Sequence, residues 1–409
     1  MVARDMRPSG VELVAAFAEG AMSQGVNVVD LGLASTDLLY FAAGSLDAPG
    51  AMFTASHNPA QYNGIKFCLS GARPVGVDSG LNDIREVAVR ELAQPSASVA
   101  SRGQLSQRNL LDAFADHVVS FVDQDQLIPL KVVADTANGM GGLVVPAVCE
   151  RLPQIQLEVM FGELDGTFPN HPADPIQPAN QKDLQARVLS GGFDVGLAFD
   201  GDADRVFVVD EKGIGLSGST TTALLAAAVL RKNPGAKIIH NLICSKAVPE
   251  VITEYGGVPI RSQVGHSYIK QLMAETGAVF GGEHSAHYYF LNNYRADSGL
   301  IAAMHVFNEM SRSGEQLSQV RIPFERYSAS GEINTQVNDP LAVIERVGAA
   351  FAAFPSDRLD GLTIDCGSWW FNLRPSNTEP LLRLNLEANN RDECDQHVSE
   401  VLALITQNA

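Results

Sequence analysis

The 409-residue sequence predicts an α/β fold of three related units with mixed sheets, followed by a smaller α+β unit. Three observations carry this. A strand, helix, strand pattern recurs three times along the chain. Glycines precede the returning strand in the first and third copies. The C-terminal part then changes to strands flanked by one helix on each side.

The first copy starts at Arg4-Asp5, continues as a helix over 11–19, and returns as a strand over 26–31 after Gly25. The second starts with the apolar strand 131–135. It passes the Gly-rich turn Asn138-Gly139-Met140-Gly141-Gly142 into a helix reaching about Arg151. The third has a strand over 237–240, a helix over 248–255, and a strand over 258–260 after Gly256-Gly257. Parallel strands joined this closely take right-handed helical crossovers. In the last part an Ala-rich helix over 340–354 precedes strands over 362–365, 369–373 and 381–386, and a helix over 391–405 closes the chain. The expected units span 1–122, 123–222, 223–326 and 327–409.

Charge and composition narrow the function classes. The net charge of −18 argues against nucleic acid or an anionic membrane as bulk partner. The apolar run 224–230 is too short to span a bilayer, and Arg231-Lys232 closes it. Five cysteines with no paired spacing point to a reducing, cytoplasmic compartment, with neither a disulfide framework nor a zinc site. An acidic protein still binds anionic sugar phosphates if positive charge is local, and Lys66, Arg205, Lys246 and Arg374 supply it.

Four segments carry chemistry. The most informative is Phe199-Asp200-Gly201-Asp202-Ala203-Asp204-Arg205, which follows an apolar strand over 194–198. In an extended or looping backbone, residues two apart point the same way. Asp200, Asp202 and Asp204 can therefore converge on one hard cation, which relieves their mutual repulsion. Arg205 adds a planar cation suited to phosphate. A solvated acidic turn is the plainer alternative, but such turns rarely follow an apolar strand directly and end in Arg.

The second segment is Thr54-Ala55-Ser56-His57-Asn58-Pro59, continuing to Lys66. Asn-Pro forces a tight non-helical loop that exposes the Ser56 hydroxyl. His57 and Lys66 are candidate proton carriers, and Lys66 also suits phosphate. The third is Arg374-Pro375-Ser376-Asn377-Thr378-Glu379-Pro380, rich in donors and poor in bulk, as a phosphate dianion requires. Alone, it reads as a polar turn fixed by two prolines. In the fourth, Gly281-Gly282-Glu283-His284-Ser285-Ala286-His287, the residues Glu283, Ser285 and His287 alternate. They can share one face of an extended strand or loop and address sugar hydroxyls.

Taken together, TASHNP, DGDADR, GEHSAH and RPSNTEP resemble, in order and rough spacing, the motifs of the α-D-phosphohexomutase superfamily. Within it the chain is similar to the bacterial phosphomannomutase and phosphoglucomutase group, over essentially its whole length. The resemblance implies three α/β domains and a smaller fourth one around a central cleft, with one motif from each. It implies a phosphoryl relay in which phosphorylated Ser56 passes its group to a hexose monophosphate and takes it back from the other end of the bisphosphate. Mg²⁺ would be held by Asp200, Asp202, Asp204 and the Ser56 phosphate, and hexose 1,6-bisphosphate would act as activator. Proton transfer falls to His57 and Lys66, with acid and base unassigned. Arg205 would contact phosphate near the metal. Arg374, Ser376, Asn377 and Thr378 would hold the non-reacting phosphate, and Glu283, Ser285 and His287 would face the sugar. Lys246 and His266 match cleft positions of the family.

The implied substrates are the 1- and 6-phosphates of mannose or glucose, with mannose leading and a glucose or dual enzyme as the alternative. A non-catalytic sugar-phosphate binder is the third reading, which the intact Ser56, carboxylates and Arg374 oppose. A monomer or dimer is expected. A fourth domain hinged at 324–331 would close over the substrate. One departure is that family members usually begin with a few tens of residues ahead of the equivalent of Val2-Ala3-Arg4-Asp5. The first domain therefore reads as truncated at its N-terminus, with a sheet short of one strand.

Overall fold

The computed structural model describes residues 1–94, 99–376 and 381–407. Four sheets follow one another along the chain. The first has the spatial order Arg73–Pro74, Ile65–Leu69, Gly50–Phe53, Val2–Arg4, Val28–Leu33, Leu105–Gln107. Val2–Arg4 is parallel to both its neighbours, so the sheet's edges are the short strands Arg73–Pro74 and Leu105–Gln107. The second sheet runs Val206–Asp210, Val195–Phe199, Leu130–Asp135, Ile155–Met160, and only its first pair is antiparallel. The third runs Val258–Ser262, Lys237–Asn241, Phe280–Gly282, Tyr288–Phe290, and only its last pair is antiparallel. These are the three expected mixed sheets. The fourth, from Ser328–Gln336 to Ser356–Asp357, is antiparallel throughout.

Local chemistry sets the helix starts. Ser35, Ser217, Ser298 and Asn390 each accept a backbone N–H of the first turn that follows. Asp339 caps Pro340–Ala350, and Pro340 sits where its missing N–H costs nothing. That helix stops at Ala350, short of the expected 354. Pro355 disfavours helix in the residue before it, and Phe351 turns inward to pack edge-on against Trp369 and Phe371. The expected strand 26–31 lies at Val28–Leu33 instead. Gly25 adopts a left-handed turn (φ 82°), which leaves Val26 outside the sheet and exposed.

Two features of packing position the site. One apolar cluster, from Ala3 to Phe324, runs through the first three sheets and their helices. The fourth sheet keeps its own core, from Val337 to Ile405, sealed by Pro340–Ala350 and Arg391–Thr406. All five cysteines are free thiols. No helix among the described residues is long and apolar enough to cross a membrane.

Candidate active site

The chemistry-bearing loops leave the carboxyl ends of strands, where open α/β sheets present their ligand sites. Thr54 follows Gly50–Phe53, Asp200 follows Val195–Phe199, and Glu283 follows Phe280–Gly282. The strand Lys237–Asn241 leads to Lys246.

The carboxylate loop is the tight turn between Val195–Phe199 and its antiparallel partner Val206–Asp210, with Ala203 left-handed at φ 62°. Asp200, Asp202 and Asp204 are buried, and one oxygen from each lies within 4.8 Å of the others. Lys66 Nζ donates to Asp202 Oδ2 and Asp204 Oδ2, both at 2.7 Å. Burial disfavours the charged amine, but these two carboxylates outweigh it and hold its pKa well above the ordinary lysine range. Arg205 Nε donates to Asp200 Oδ2 at 2.9 Å. Burial nevertheless pushes the Asp200 carboxyl up to about 7. Asp202 Oδ1 and Asp204 Oδ1 are buried without a hydrogen-bond partner. Stranded anionic oxygens in an all-oxygen cluster fit a small hard divalent cation.

Ser56 lies against this cluster. Its Oγ donates to Asp200 Oδ2 at 2.7 Å and sits 3.4 Å from His57 Nδ1. Its backbone is left-handed (φ 50°), a conformation a non-glycine residue holds only when its surroundings impose it. Gly201 is needed here. A Cβ on it would lie well inside 3.0 Å of the Ser56 carbonyl oxygen. The hydroxyl loop and the carboxylate loop thus touch backbone to backbone.

The segment Glu283–His287 is a tight turn, the loop and not the strand of the two forms that the alternation allows. Glu283 N–H donates to His287 O, and Ala286 N–H to Glu283 O. Phe280–Gly282 and Tyr288–Phe290 pair antiparallel on either side, so the intervening residues have to reverse the chain. Glu283 is buried. It accepts from Asn241 Nδ2 (3.2 Å), Gly265 N–H (3.1 Å) and Tyr289 OH (2.6 Å). It therefore seats the turn, while Ser285 and His287 remain partly exposed and 3.1 Å apart. His287 Nε2 is 3.7 Å from Asp204 Oδ1, which joins this turn to the carboxylate loop.

On the fourth unit, Arg374 Nη2 donates to Glu332 Oε2 at 2.9 Å, and its Nε is buried without a partner. The Ser376 backbone N–H donates to Leu381 O. Asn377 and Thr378 lie outside the described residues. Lys246 is engaged across the seam between the third and fourth units. Its Nζ donates to Asp365 Oδ1 (2.7 Å) and Gly367 O (3.0 Å), and its backbone N–H to Glu387. His266 opens the helix His266–Thr276 and is exposed.

Sequence reasoning missed several members of the site. Thr36 Oγ1 donates to Asp202 Oδ2 at 2.6 Å, and its backbone N–H donates to Asp202 O. Beside it, Asp37 accepts from Ser35 and from Ser298 Oγ, which lashes the first unit to the third. The Ser-Thr-Asp signature of a helix start was the available signal. Lys270 and Asp297 form a buried 2.7 Å ion pair under Tyr40, and nothing in the local sequence marks them.

Similarity to known proteins points the same way. Models of the phosphoglucomutase/phosphomannomutase family match in four consecutive stretches: alpha/beta/alpha domain I over 1–92, domain II over 112–213, domain III over 217–327, and the C-terminal domain over 332–404. A phosphomannomutase of Salmonella montevideo is 42% identical over 393 residues, covering 94% of this chain and 86% of that protein. A Xanthomonas campestris protein named as phosphohexose mutases is 38% identical over 391 residues, covering 95% and 86%. The crystal structure of a phosphoglucomutase/phosphomannomutase family protein from Burkholderia thailandensis superposes with a TM-score of 0.88 at 30% identity, covering 100% of this chain and 89% of that one.

Proposed function

The chain belongs to the phosphoglucomutase/phosphomannomutase family, and from that premise we propose that it interconverts mannose 6-phosphate and mannose 1-phosphate. The observation that carries this reading is the Ser56 hydroxyl, 2.7 Å from Asp200 in a loop pressed onto three converging carboxylates. A hydroxyl held there is placed to carry a phosphoryl group beside a cation.

In the forward half-reaction the sugar hydroxyl attacks the phosphorus on Ser56. The bond from phosphorus to Oγ breaks, and the hydroxyl proton passes to a nearby base. His57, adjacent to Ser56, is the candidate base, and Lys66, kept protonated by Asp202 and Asp204, is the candidate acid that returns a proton to the departing Ser56 Oγ. The product is a hexose 1,6-bisphosphate, the same compound that would prime the enzyme as activator. After it turns over, Ser56 Oγ attacks its other phosphoryl group and releases the isomeric monophosphate. Bound Mg²⁺ at Asp200, Asp202, Asp204 and the Ser56 phosphate would supply charge neutralisation for the transferring group. Arg205 keeps Nη2 buried without a partner, a ready donor for a phosphoryl oxygen. Arg374 and Ser376, with Asn377 and Thr378, grip the non-reacting phosphate. Ser285, His287, Lys246 and His266 line the sugar side, and Glu283 fixes the turn that presents Ser285 and His287.

The similarity to proteins named as phosphohexose mutases favours a second reading, in which glucose phosphates turn over as well. The test is mutase turnover of mannose 1-phosphate and glucose 1-phosphate side by side, with Mg²⁺ and a trace of hexose 1,6-bisphosphate. Turnover of the mannose ester and its loss in Ser56→Ala are expected. Comparable turnover of both sugars selects the dual enzyme. Sugar-phosphate binding without turnover by folded protein overturns the reading.

A further inference from the structure

Arg7 is fully buried and uses every N–H it has. Nε donates to Asp5 Oδ2 at 3.0 Å. Nη1 donates to Pro59 O (2.7 Å) and Tyr62 O (3.0 Å), and Nη2 to Ser56 O (2.9 Å) and Asn58 O (2.7 Å). Four carbonyls of the Ser56 loop thus converge on one guanidinium. Its charge centre lies 5.1 Å from the ring centroid of Phe168, on the second unit. Gly166 of that same segment packs so close to the Arg7 backbone that a Cβ there would come within 2.6 Å of Arg7 Cα. Asn138 Nδ2 anchors the segment by donating to Glu163 O.

We propose that Arg7 is a positioning residue for the phosphoryl transfer. It acts as a clamp that imposes the left-handed backbone of Ser56 and sets the hydroxyl's register on the carboxylate loop. The inference deepens the mutase reading and rests on it for its kinetic part. Two arguments support it. The Ser56 conformation is strained and needs surroundings that over-determine it, and Arg7 holds the carbonyl of that very residue. A planar fork with five donors can also satisfy four loop carbonyls and one carboxylate at once, whereas an ammonium has three donors and no fork. Arg7 meets Ser56 only at its backbone carbonyl and makes no hydrogen bond to the three carboxylates or to the sugar-binding turn, so it acts by placing the loop.

The test compares Arg7→Lys, Arg7→Met and Phe168→Leu with wild type. Val148→Ala, a core truncation in the helix Gly141–Cys149, serves as a destabilised control. Single-turnover transfer from phosphorylated Ser56 to sugar phosphate is measured, together with kcat, KM, Mn²⁺ affinity and hydrogen exchange of residues 54–64. Transfer and kcat are expected to fall about 100-fold in Arg7→Met and about 10-fold in Arg7→Lys, as for a misplacement near 1 Å. KM and Mn²⁺ affinity stay within threefold of wild type, loop exchange rises at least tenfold, and the control keeps its kcat. If Arg7→Met does not fold, Phe168→Leu keeps all five donors, loosens the clamp, and gives a smaller loss of the same pattern. Unchanged transfer and loop exchange in Arg7→Lys overturn the clamp, as does an equal kcat loss in the control. The exchange measurement needs no substrate. A wild-type enzyme without turnover whose Arg7 variants still loosen the loop therefore refutes the mutase reading and leaves the clamp standing.

Discussion

Replacing Gly201 by alanine gives the sharpest test of how the Ser56 loop and the carboxylate loop meet. The new Cβ would fall well inside 3.0 Å of the Ser56 carbonyl oxygen, closer than real Cβ atoms come. The obstructing atom is backbone, so no side chain can swing aside. Either the hydroxyl loop or the carboxylate loop has to retreat, by roughly 0.5–1 Å. A displacement of that size between nucleophile and cation site costs on the order of 100-fold in rate, equivalent to about 2.7 kcal/mol in the barrier. The contacts assigned to the sugar and to the non-reacting phosphate lie on other units, so KM should stay within about threefold, and the split between kcat and KM carries the information. The assay is coupled mutase turnover with substrate varied, alongside Mn²⁺ binding to confirm that the carboxylates still assemble. A Gly201→Ala enzyme with kcat within threefold of wild type would refute the argument that backbone contact sets the Ser56 register.

Three further outcomes are expected. Lys270→Met strands the buried Asp297 carboxylate and should destabilise the fold by about 3–5 kcal/mol in chemical denaturation. His171 is held above its ordinary pKa chiefly by its hydrogen bond to Asp135, so its stabilisation is complete below about pH 6.5 and fades as pH rises through the raised value. The melting-temperature gap between wild type and His171→Gln should thus be widest near pH 5.5 and close by pH 9. Cys68, Cys149, Cys244 and Cys394 are buried, and burial pushes the Cys149 and Cys244 thiols up to about 12. A disulfide reagent should label Cys366 first in the native protein and reach the others only on unfolding.

The parts of the molecule legible in the sequence are those where local chemistry and final structure agree. The strand Leu362–Asp365 and the helix Arg391–Thr406 announce themselves through apolar spacing and an Asn cap. Asp200, Asp202 and Asp204 were readable because their convergence is a property of one short turn. The helix Thr36–Ser45 was missed because it is buried on nearly all sides, which leaves no amphipathic period to detect. Arg7, Thr36 and Lys270 were invisible for another reason. Each matters through a partner far along the chain, and such pairings exist only once the sheets are docked. The form of the segment at Glu283 stayed open in the sequence because alternation of polar residues suits a strand and a loop equally. Only the pairing of the flanking strands decides between them.

The split core has an evolutionary consequence. The Ser56 hydroxyl, the three carboxylates and Lys66, to which the proposed chemistry is assigned, all sit in one fused body, whereas Arg374 and Ser376 ride on a unit with its own sealed interior. Substitutions inside that unit propagate little packing strain into the rest of the enzyme. The seam is held mainly by polar pairs such as Arg261 with Asp357 and Lys246 with Asp365. A lineage can therefore retune which phosphate ester is gripped, or inherit a whole C-terminal unit by recombination, while the reaction centre stays untouched. Chimeras between relatives that carry both sides of this polar seam are the natural places to look for altered substrate range.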